Sequence, residues 1–156
     1  MEGSSSFSFT LALAGPTDAA ELARLMRGAY RSFGEAAPPD ADVERFFREA
    51  LAPGSSFEAL LARAGRDAIG LATLAYAPTT QSVGRFAWLD DLHVVERARG
   101  RGVGRALLDA AIARAAERGA HEVRLSAERD ARLLSLHESA GFRPSDLALL
   151  SVRLPR

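Results

Sequence analysis

The chain has 156 residues, a length that suits one domain whose core needs neither disulfides nor metal. Its 20 basic and 20 acidic residues cancel, which argues against a nucleic-acid-binding surface, and the absence of cysteine excludes disulfides, thiolate zinc sites and a cysteine nucleophile. The first fifteen residues have no basic start and only a short apolar run. We therefore expect neither a signal peptide nor a membrane span, and a soluble cytoplasmic protein.

Apolar spacing in the first half of the chain predicts three strands and two helices. Thr17 or Asp18 is the expected cap of the first helix, and an aspartate at the end of a loop over 35–42 is the expected cap of the second. The predicted elements are a strand at 7–14, a helix at 19–33, a helix at 43–51 and strands at 57–64 and 68–77.

The second half predicts further strands and two helices, the first of which ends at Gly119 and the second at Gly141. These elements are a strand at 85–95, a helix at 103–119, a strand at 121–127, a helix at 131–141 and a last strand at 147–154. The whole pattern predicts an α/β fold in a single domain over 1–156, with a mixed sheet of about six or seven strands and about four helices.

A glycine-rich turn joins the strand at 85–95 to the helix at 103–119. It reads RGRGVG and places glycine at 100, 102 and 104. Glycine permits tight backbone turns and close approach of a ligand, and the free N–H groups of a helix's first turn attract phosphate. Four arginines flank the turn, Arg97, Arg99, Arg101 and Arg105, which favours a ligand with several phosphate charges such as a pyrophosphate.

Three ordered motifs resemble those of the GCN5-related N-acetyltransferase (GNAT) superfamily. Arg99, Gly102 and Gly104 match its acetyl-CoA loop, in which Gln or Arg is followed after two residues by Gly, and after one more by Gly or Ala. LDDLHV at 89–94 is similar to the fourth strand of the diamine and thialysine acetyltransferase branch, and HESAGF at 137–142 resembles the usual Y-E-x-x-G-F.

This resemblance implies an acetyl-CoA-dependent N-acetyltransferase. No metal is expected, because the three histidines, at 93, 121 and 137, lack metal-ligand spacing. Backbone groups are expected to lie along the acetyl group and pantetheine, and along the pyrophosphate. By position in the motifs, the implied acetyl-CoA-binding residues are Leu92, His93, Val94, Arg99, Gly100, Arg101, Gly102, Val103, Gly104 and Arg105.

The resemblance also indicates which side chains handle protons. A primary amine with a pKa near 10.4 is neutral in only about one molecule in two thousand at pH 7, so a group must take its proton. Asp90 occupies the position of the acid to which this role, or ammonium binding, is assigned in the diamine branch. Its neighbour Asp91 is expected to face the other way in an extended strand. His137 replaces the usual tyrosine and is the expected proton donor to the CoA thiolate, or else a helix histidine without a chemical role.

The acceptor is less defined by sequence. The resemblance implies an acceptor pocket lined by the first two helices, their connecting loop and the loop before the fourth strand, and the aromatic and acidic residues there suit an organic cation. These are Tyr30, Phe33, Glu35, Asp40, Phe46 and Tyr76. Core packing is the alternative role for most of them, since Phe46 lies on the helix face that is predicted to be buried. Because the branch that the sequence resembles acetylates diamines, polyamines or thialysine, a small cationic amine is the expected partner, with an aminoglycoside or an amino-acid-like amine next, no nucleic acid or membrane partner, and a homodimer left open.

Two other functions stay open. A non-catalytic CoA-binding or sensor module would explain the missing tyrosine, although Asp90 and the complete glycine loop argue against it. An acetyltransferase directed at tRNA or protein is the second, and zero net charge argues against an RNA-binding face.

Overall fold

The computed structural model describes residues 7–127 and 130–155. These residues form two compact units that divide between Leu125 and Ser126. The first unit has strands β1 (Thr10–Leu13), β2 (Phe57–Ala64), β3 (Asp67–Thr79), β4 (Gly84–Val94) and β5 (Glu122–Arg124), and helices α1 (Ala19–Ser32), α2 (Asp40–Ala50) and α3 (Val103–Glu117). The second unit contains helix α4 (Ala131–Ser139).

The sheet has the order β1-β2-β3-β4-β5. The first four strands pair antiparallel, each with the next, whereas β5 lies parallel to β4. A parallel neighbour requires a crossover, and α3 supplies it. The result is a mixed α/β sheet, as predicted.

Helices cover both faces of this sheet. Helices α1 and α2 bury an apolar cluster against β2 and β3 that includes Leu22, Leu25, Phe47 and Leu61. Helix α3 packs against the other face, and Leu107 reaches the backbone of β3 at Gly70. Because both faces are covered, the central strands are continuous apolar runs and do not alternate with polar residues.

The prediction of six or seven strands is wrong for the described residues, which contain five. The apolar run at 147–154 forms no strand in the structure, and its large side chains Leu147, Leu149, Leu150, Val152 and Leu154 are exposed. An apolar run favours a strand only where a neighbouring strand can pair with its backbone groups, and the described part of its own compact unit contains no other strand.

Helix boundaries differ from the predictions mainly at α2. This helix begins at Asp40, directly after Pro39, and so includes three residues that were predicted as loop. Asp18 precedes α1 as predicted, but its carboxylate does not cap that helix; it accepts hydrogen bonds from Gly15 N and Arg63. Gly119, with φ +75°, follows the last turn of α3 as expected.

Close packing between α1 and β4 yields a stability prediction at Gly28. A Cβ atom there would lie 2.9 Å from Nε2 of His93, whose side chain is 9% exposed. We expect Gly28→Ala to lower the free energy of unfolding by about 1–3 kcal/mol through overpacking, despite the higher helix propensity of alanine. Urea denaturation measures the change. In a His93→Ala background the same substitution should be neutral or stabilising, and a stabilised Gly28→Ala protein with His93 intact would contradict this account.

Candidate active site

The glycine turn leads directly into α3. Gly100 and Gly102 have φ of +71° and +82°, a left-handed conformation that favours glycine. A Cβ atom at either position would meet no atom within 4 Å, so the required conformation, and not crowding within the protein, selects glycine there. Gly102 is the N-cap of α3 and provides no side chain to cap it. The turn therefore presents the first N–H groups of α3 to an open space.

Two of the four flanking arginines pair with carboxylates. Arg97 lies 3.5 Å from Asp67, and Arg105 donates from Nε to both carboxylate oxygens of Asp109 at 2.9 and 3.0 Å. The side chains of both ion pairs are exposed or half-exposed, and ion pairs in such positions contribute little to stability. A polyphosphate can compete for these arginines at small energetic cost.

The other two arginines contact neutral groups. Arg99 donates from Nε to the Val94 carbonyl at 3.0 Å, which ties the turn to the end of β4. The Arg101 guanidinium lies 4.6 Å from the ring centroid of Phe7. Neither contact neutralises the arginine, so both keep their positive charge beside the turn.

The edge of β4 that faces away from β3 is paired with β5 only at 86–88. Val95 N donates to Ile69 O in β3. Backbone groups of successive residues in a strand point to alternate edges, so those of Leu92 and Val94 point away from β3. Apart from the Val94 carbonyl, which accepts from an arginine, these groups have no described strand beside them. Backbone groups are thus available there to an extended ligand.

A β-bulge interrupts β4 just before this open edge. Leu92 pairs with the residue before Thr73, and Leu89 pairs with the residue after it. Asp90 and Asp91 therefore both lie opposite Thr73. The bulge inserts one extra residue into β4 at the aspartate pair.

The bulge changes the direction of Asp91. The side chain of Leu89, which pairs with Leu74, lies on the sheet face that α3 covers. The side chain of the next residue, Asp90, therefore points to the opposite face, which α1 covers. His93 packs against Gly28 of α1, so Asp91, two residues earlier, points to the α1 face as well. The expectation that the two aspartates face opposite ways is wrong, because it assumed regular strand alternation.

Asp91 is held by a reciprocal pair of hydrogen bonds. The hydroxyl of the fully buried Thr73 donates to Asp91 Oδ2 at 2.6 Å, and Asp91 N donates to Thr73 Oγ1 at 3.0 Å. Burial raises the pKa of Asp91, the Thr73 hydrogen bond opposes this rise, and the nearby charge of Asp90 adds to it. Asp90, by contrast, is exposed.

Tyr30, near the end of α1, faces this aspartate pair. Burial raises the pKa of Tyr30, and the negative charges of Asp91, Glu35 and Asp90 raise it further. The carboxylates of Asp90, Asp91 and Glu35 are thus all near enough to the Tyr30 phenol to affect its pKa. Such a group attracts a cation.

The other residues named for the acceptor site are dispersed. Tyr76 lies on the opposite face of the sheet and donates to Glu58 at 2.9 Å, and Glu58 also binds Arg114 of α3. Asp40 pairs with Arg27. Tyr76 is thus a structural residue, separated from Tyr30 by the sheet.

Phe46 was predicted to share the buried face of α2, but its side chain is 51% exposed, whereas Phe47 is buried. Phe33 is equally exposed, at 51%. Both aromatic rings are therefore accessible to solvent.

The histidines occupy three different environments. Burial, assisted by the charge of Arg99, lowers the pKa of His93 to about 4, so this residue is neutral at pH 7. His121 is exposed, and its ring covers Gly84. Within the residues described, no group of three or more histidines and carboxylates could hold a metal ion.

His137 belongs to the second unit, on α4. Its ring packs edge-on against Phe142 at 5.9 Å between centroids. Burial lowers the pKa of His137, and the nearby Leu133 carbonyl offsets this effect in part without reaching hydrogen-bonding geometry. Asp130 caps α4 by accepting from the backbone N–H groups of Arg132 and Leu133, each at 3.0 Å.

Comparison with protein families decides what kind of protein this is. The model of the GNAT acetyltransferase family matches residues 20–142. The chain belongs to this family. The GNAT protein is therefore an acyltransferase, and acetyl-CoA is the donor that its family uses. A comparison with curated proteins gives no significant match.

Solved structures agree with this assignment. A putative acetyltransferase from Agrobacterium tumefaciens str. C58 is 25% identical, with a TM-score of 0.80 over 92% of this chain and 99% of that one. Ribosomal-protein-alanine N-acetyltransferase from Brucella melitensis biovar Abortus 2308 is 24% identical, with a TM-score of 0.76 over 95% and 100%. An aminoglycoside acetyltransferase from an uncultured soil metagenomic sample is 18% identical, with a TM-score of 0.78 over 97% and 99%. At these identities the last two support the fold alone.

In the part of the chain that the structure describes, no helix has the length and apolar character needed to cross a membrane.

Proposed function

We propose that this GNAT protein transfers acetyl from acetyl-CoA directly to the primary amine of a small cationic acceptor, in the cytoplasm. The observation that carries the proposal is the bulge in β4, which turns Asp90 and Asp91 to the α1 face, where their negative charges and that of Glu35 act on Tyr30. Several carboxylates stabilise a cation beside them. Carboxylates among apolar strands are unfavourable unless a partner such as a cation compensates their charge. The similarity of LDDLHV to the diamine and thialysine branch supports the same class of acceptor.

In this proposal, acetyl-CoA is bound mainly by backbone groups. The left-handed turn at Gly100 and Gly102 gives the pyrophosphate access to the N–H groups of Val103, Gly104 and Arg105. Arg99 and Arg101 contribute positive charge beside it.

The pantetheine arm and the acetyl group are proposed to follow the open edge of β4. The chain offers backbone N–H groups there at Leu92 and Val94. His93 lies between them, but its side chain is buried against α1. We therefore propose that His93 makes no side-chain contact with acetyl-CoA and contributes only its place in the strand.

Two side chains are proposed to handle protons. Asp90, exposed at the bulge, meets the ammonium group of the acceptor, either binding it or taking its proton. His137 returns a proton to the CoA thiolate. The chain has no cysteine, so we propose attack by the amine within a ternary complex and no acyl-enzyme.

The proposal is tested by measuring CoA release over a panel of amines. The panel contains diamines, polyamines, thialysine, an aminoglycoside, amino-acid amides and a peptide with an N-terminal alanine. We expect small dicationic amines to give the highest kcat/KM, and kinetics to show a ternary complex. Asp90→Asn should lower kcat/KM for dications at least tenfold, with Asp146→Asn, which alters an exposed carboxylate that has no proposed role, as the matched control.

Two results would contradict the proposal. A protein that binds acetyl-CoA but releases no CoA with any amine would be a binding or sensor module. Ping-pong kinetics, or an acetyl group that stays on the protein in intact mass spectra, would exclude direct transfer.

A further inference from the structure

Two carboxylates reach the same face of the sheet at the bulge, yet their surroundings differ. Asp90 is exposed to solvent, whereas Asp91 is half-buried and bound to Thr73. An exposed carboxylate attracts a cation while staying solvated. A desolvated carboxylate binds a proton more readily, which suits it for removing one.

We propose that Asp91 is a further catalytic residue, the one that takes the proton from the acceptor amine, while Asp90 binds the ammonium group and Thr73 positions Asp91. This inference rests on the proposed function of the same site. It assigns a separate task to each member of the aspartate pair.

The hydrogen bonds of Asp91 favour this assignment. Oδ2 accepts from the Thr73 hydroxyl, and the backbone N–H of Asp91 donates to the same hydroxyl oxygen, so the side chain has one fixed orientation. Oδ1 has no hydrogen-bond partner among the residues that the structure describes, and it is not sealed from solvent. One oxygen is therefore anchored and the other is available to a substrate.

The groups around Asp91 favour a high proton affinity. Asp90 adds negative charge from the same strand, and the Tyr30 phenol on α1 lies near enough to both aspartates for their charges to raise its pKa. His93 lies two residues further along the same face and stays neutral. Burial of Asp91 raises its pKa, and the charge of Asp90 adds to that rise.

Asp91 Oδ1 takes one proton from the ammonium nitrogen and later releases it to solvent. The freed lone pair forms the N–C bond with the acetyl carbonyl carbon, and collapse of the adduct breaks the C–S bond. The nitrogen loses its second proton while the thiolate gains one, so each turnover releases one net proton.

The test compares Asp91→Asn with Asp90→Asn in the full-length protein, using the best amine from the panel. We expect Asp91→Asn to lower kcat at least 100-fold with little change in the KM for the amine, and Asp90→Asn to act mainly on KM. An acceptor amine that is already neutral at the assay pH should restore much of the rate of Asp91→Asn, because it needs no base before attack.

Thr73 supplies a second, independent test. Thr73→Val keeps the branched shape but removes the hydroxyl. Because the hydrogen bond from that hydroxyl lowers the pKa of Asp91, its loss should raise that pKa. We therefore expect the acidic limb of the pH–rate profile to move to higher pH and kcat to fall, and Thr73→Ser to restore both. A purely structural role for Thr73 would change stability without moving the limb.

Each outcome has one meaning. If Asp91→Asn keeps kcat within about threefold while Asp90→Asn loses it and is rescued by the neutral amine, Asp90 is the base and the inference is wrong. If the wild-type protein binds acetyl-CoA but acetylates no amine, the proposed function itself is contradicted, and the assignment of Asp91 falls with it.

Discussion

Replacing Gly102 with leucine is expected to weaken acetyl-CoA binding at least tenfold, a loss of about 1.4 kcal/mol. Gly102 has φ +82° and is the N-cap of α3, so its conformation fixes the direction of the first helical N–H groups. A leucine strains this left-handed conformation by about 1–2 kcal/mol and projects into the space that the turn leaves open. Either effect prevents the first N–H groups of α3 from reaching a bound pyrophosphate.

The control for Gly102→Leu is Gly119→Leu. Gly119 has a similar φ of +75° and a similarly open surround, but it lies at the other end of α3. Both variants should lose comparable stability, whereas only Gly102→Leu should lose affinity in calorimetric titration with acetyl-CoA. A folded Gly102→Leu protein with wild-type affinity would contradict the assignment of this turn to the pyrophosphate.

The sequence was most informative where one periodicity dominates. β2 occupies Phe57–Ala64 as predicted, because turn residues bound its apolar run on both sides. α1 ends one residue earlier than predicted, at Ser32. Long apolar runs between clear turn signals determine the element and its limits together, since no competing pattern is present.

Pairing was harder to predict than local structure. The run at 147–154 has strand composition but forms no strand, because composition does not specify a partner for the backbone. The start of α2 illustrates a smaller effect. Pro39 provides a fixed φ just before the helix, so the helix begins at Asp40 and not after a later aspartate.

The candidate site was partly predictable for the same reasons. The motif LDDLHV identified Asp90 by its position, and RGRGVG identified the turn before α3. The direction of Asp91 was not predictable, because a β-bulge depends on the register between β3 and β4 and leaves no mark on the local sequence. Thr73 was missed for the same reason, since it lies 18 residues from Asp91 in the chain.

The largest effect on the pH profile is expected at His137. If its imidazolium protonates the CoA thiolate, activity requires the charged form and falls as the pH rises through the pKa of His137. Burial lowers that pKa below its usual 6.5, so the alkaline limb of kcat/KM should lie below pH 6.5. The raised pKa of Asp91, which must be deprotonated, sets the acidic limb. The profile should therefore be a narrow bell.

Two substitutions separate this role from a structural one. His137→Ala should lower kcat on the order of 100-fold and remove the alkaline limb, whereas His137→Tyr should move that limb toward pH 10, because a phenol stays protonated to about that pH. His121→Ala, which removes an exposed histidine, is the matched control and should leave the profile unchanged. If His137→Ala keeps nearly full activity with the alkaline limb in place, the thiolate must take its proton from water or from another residue.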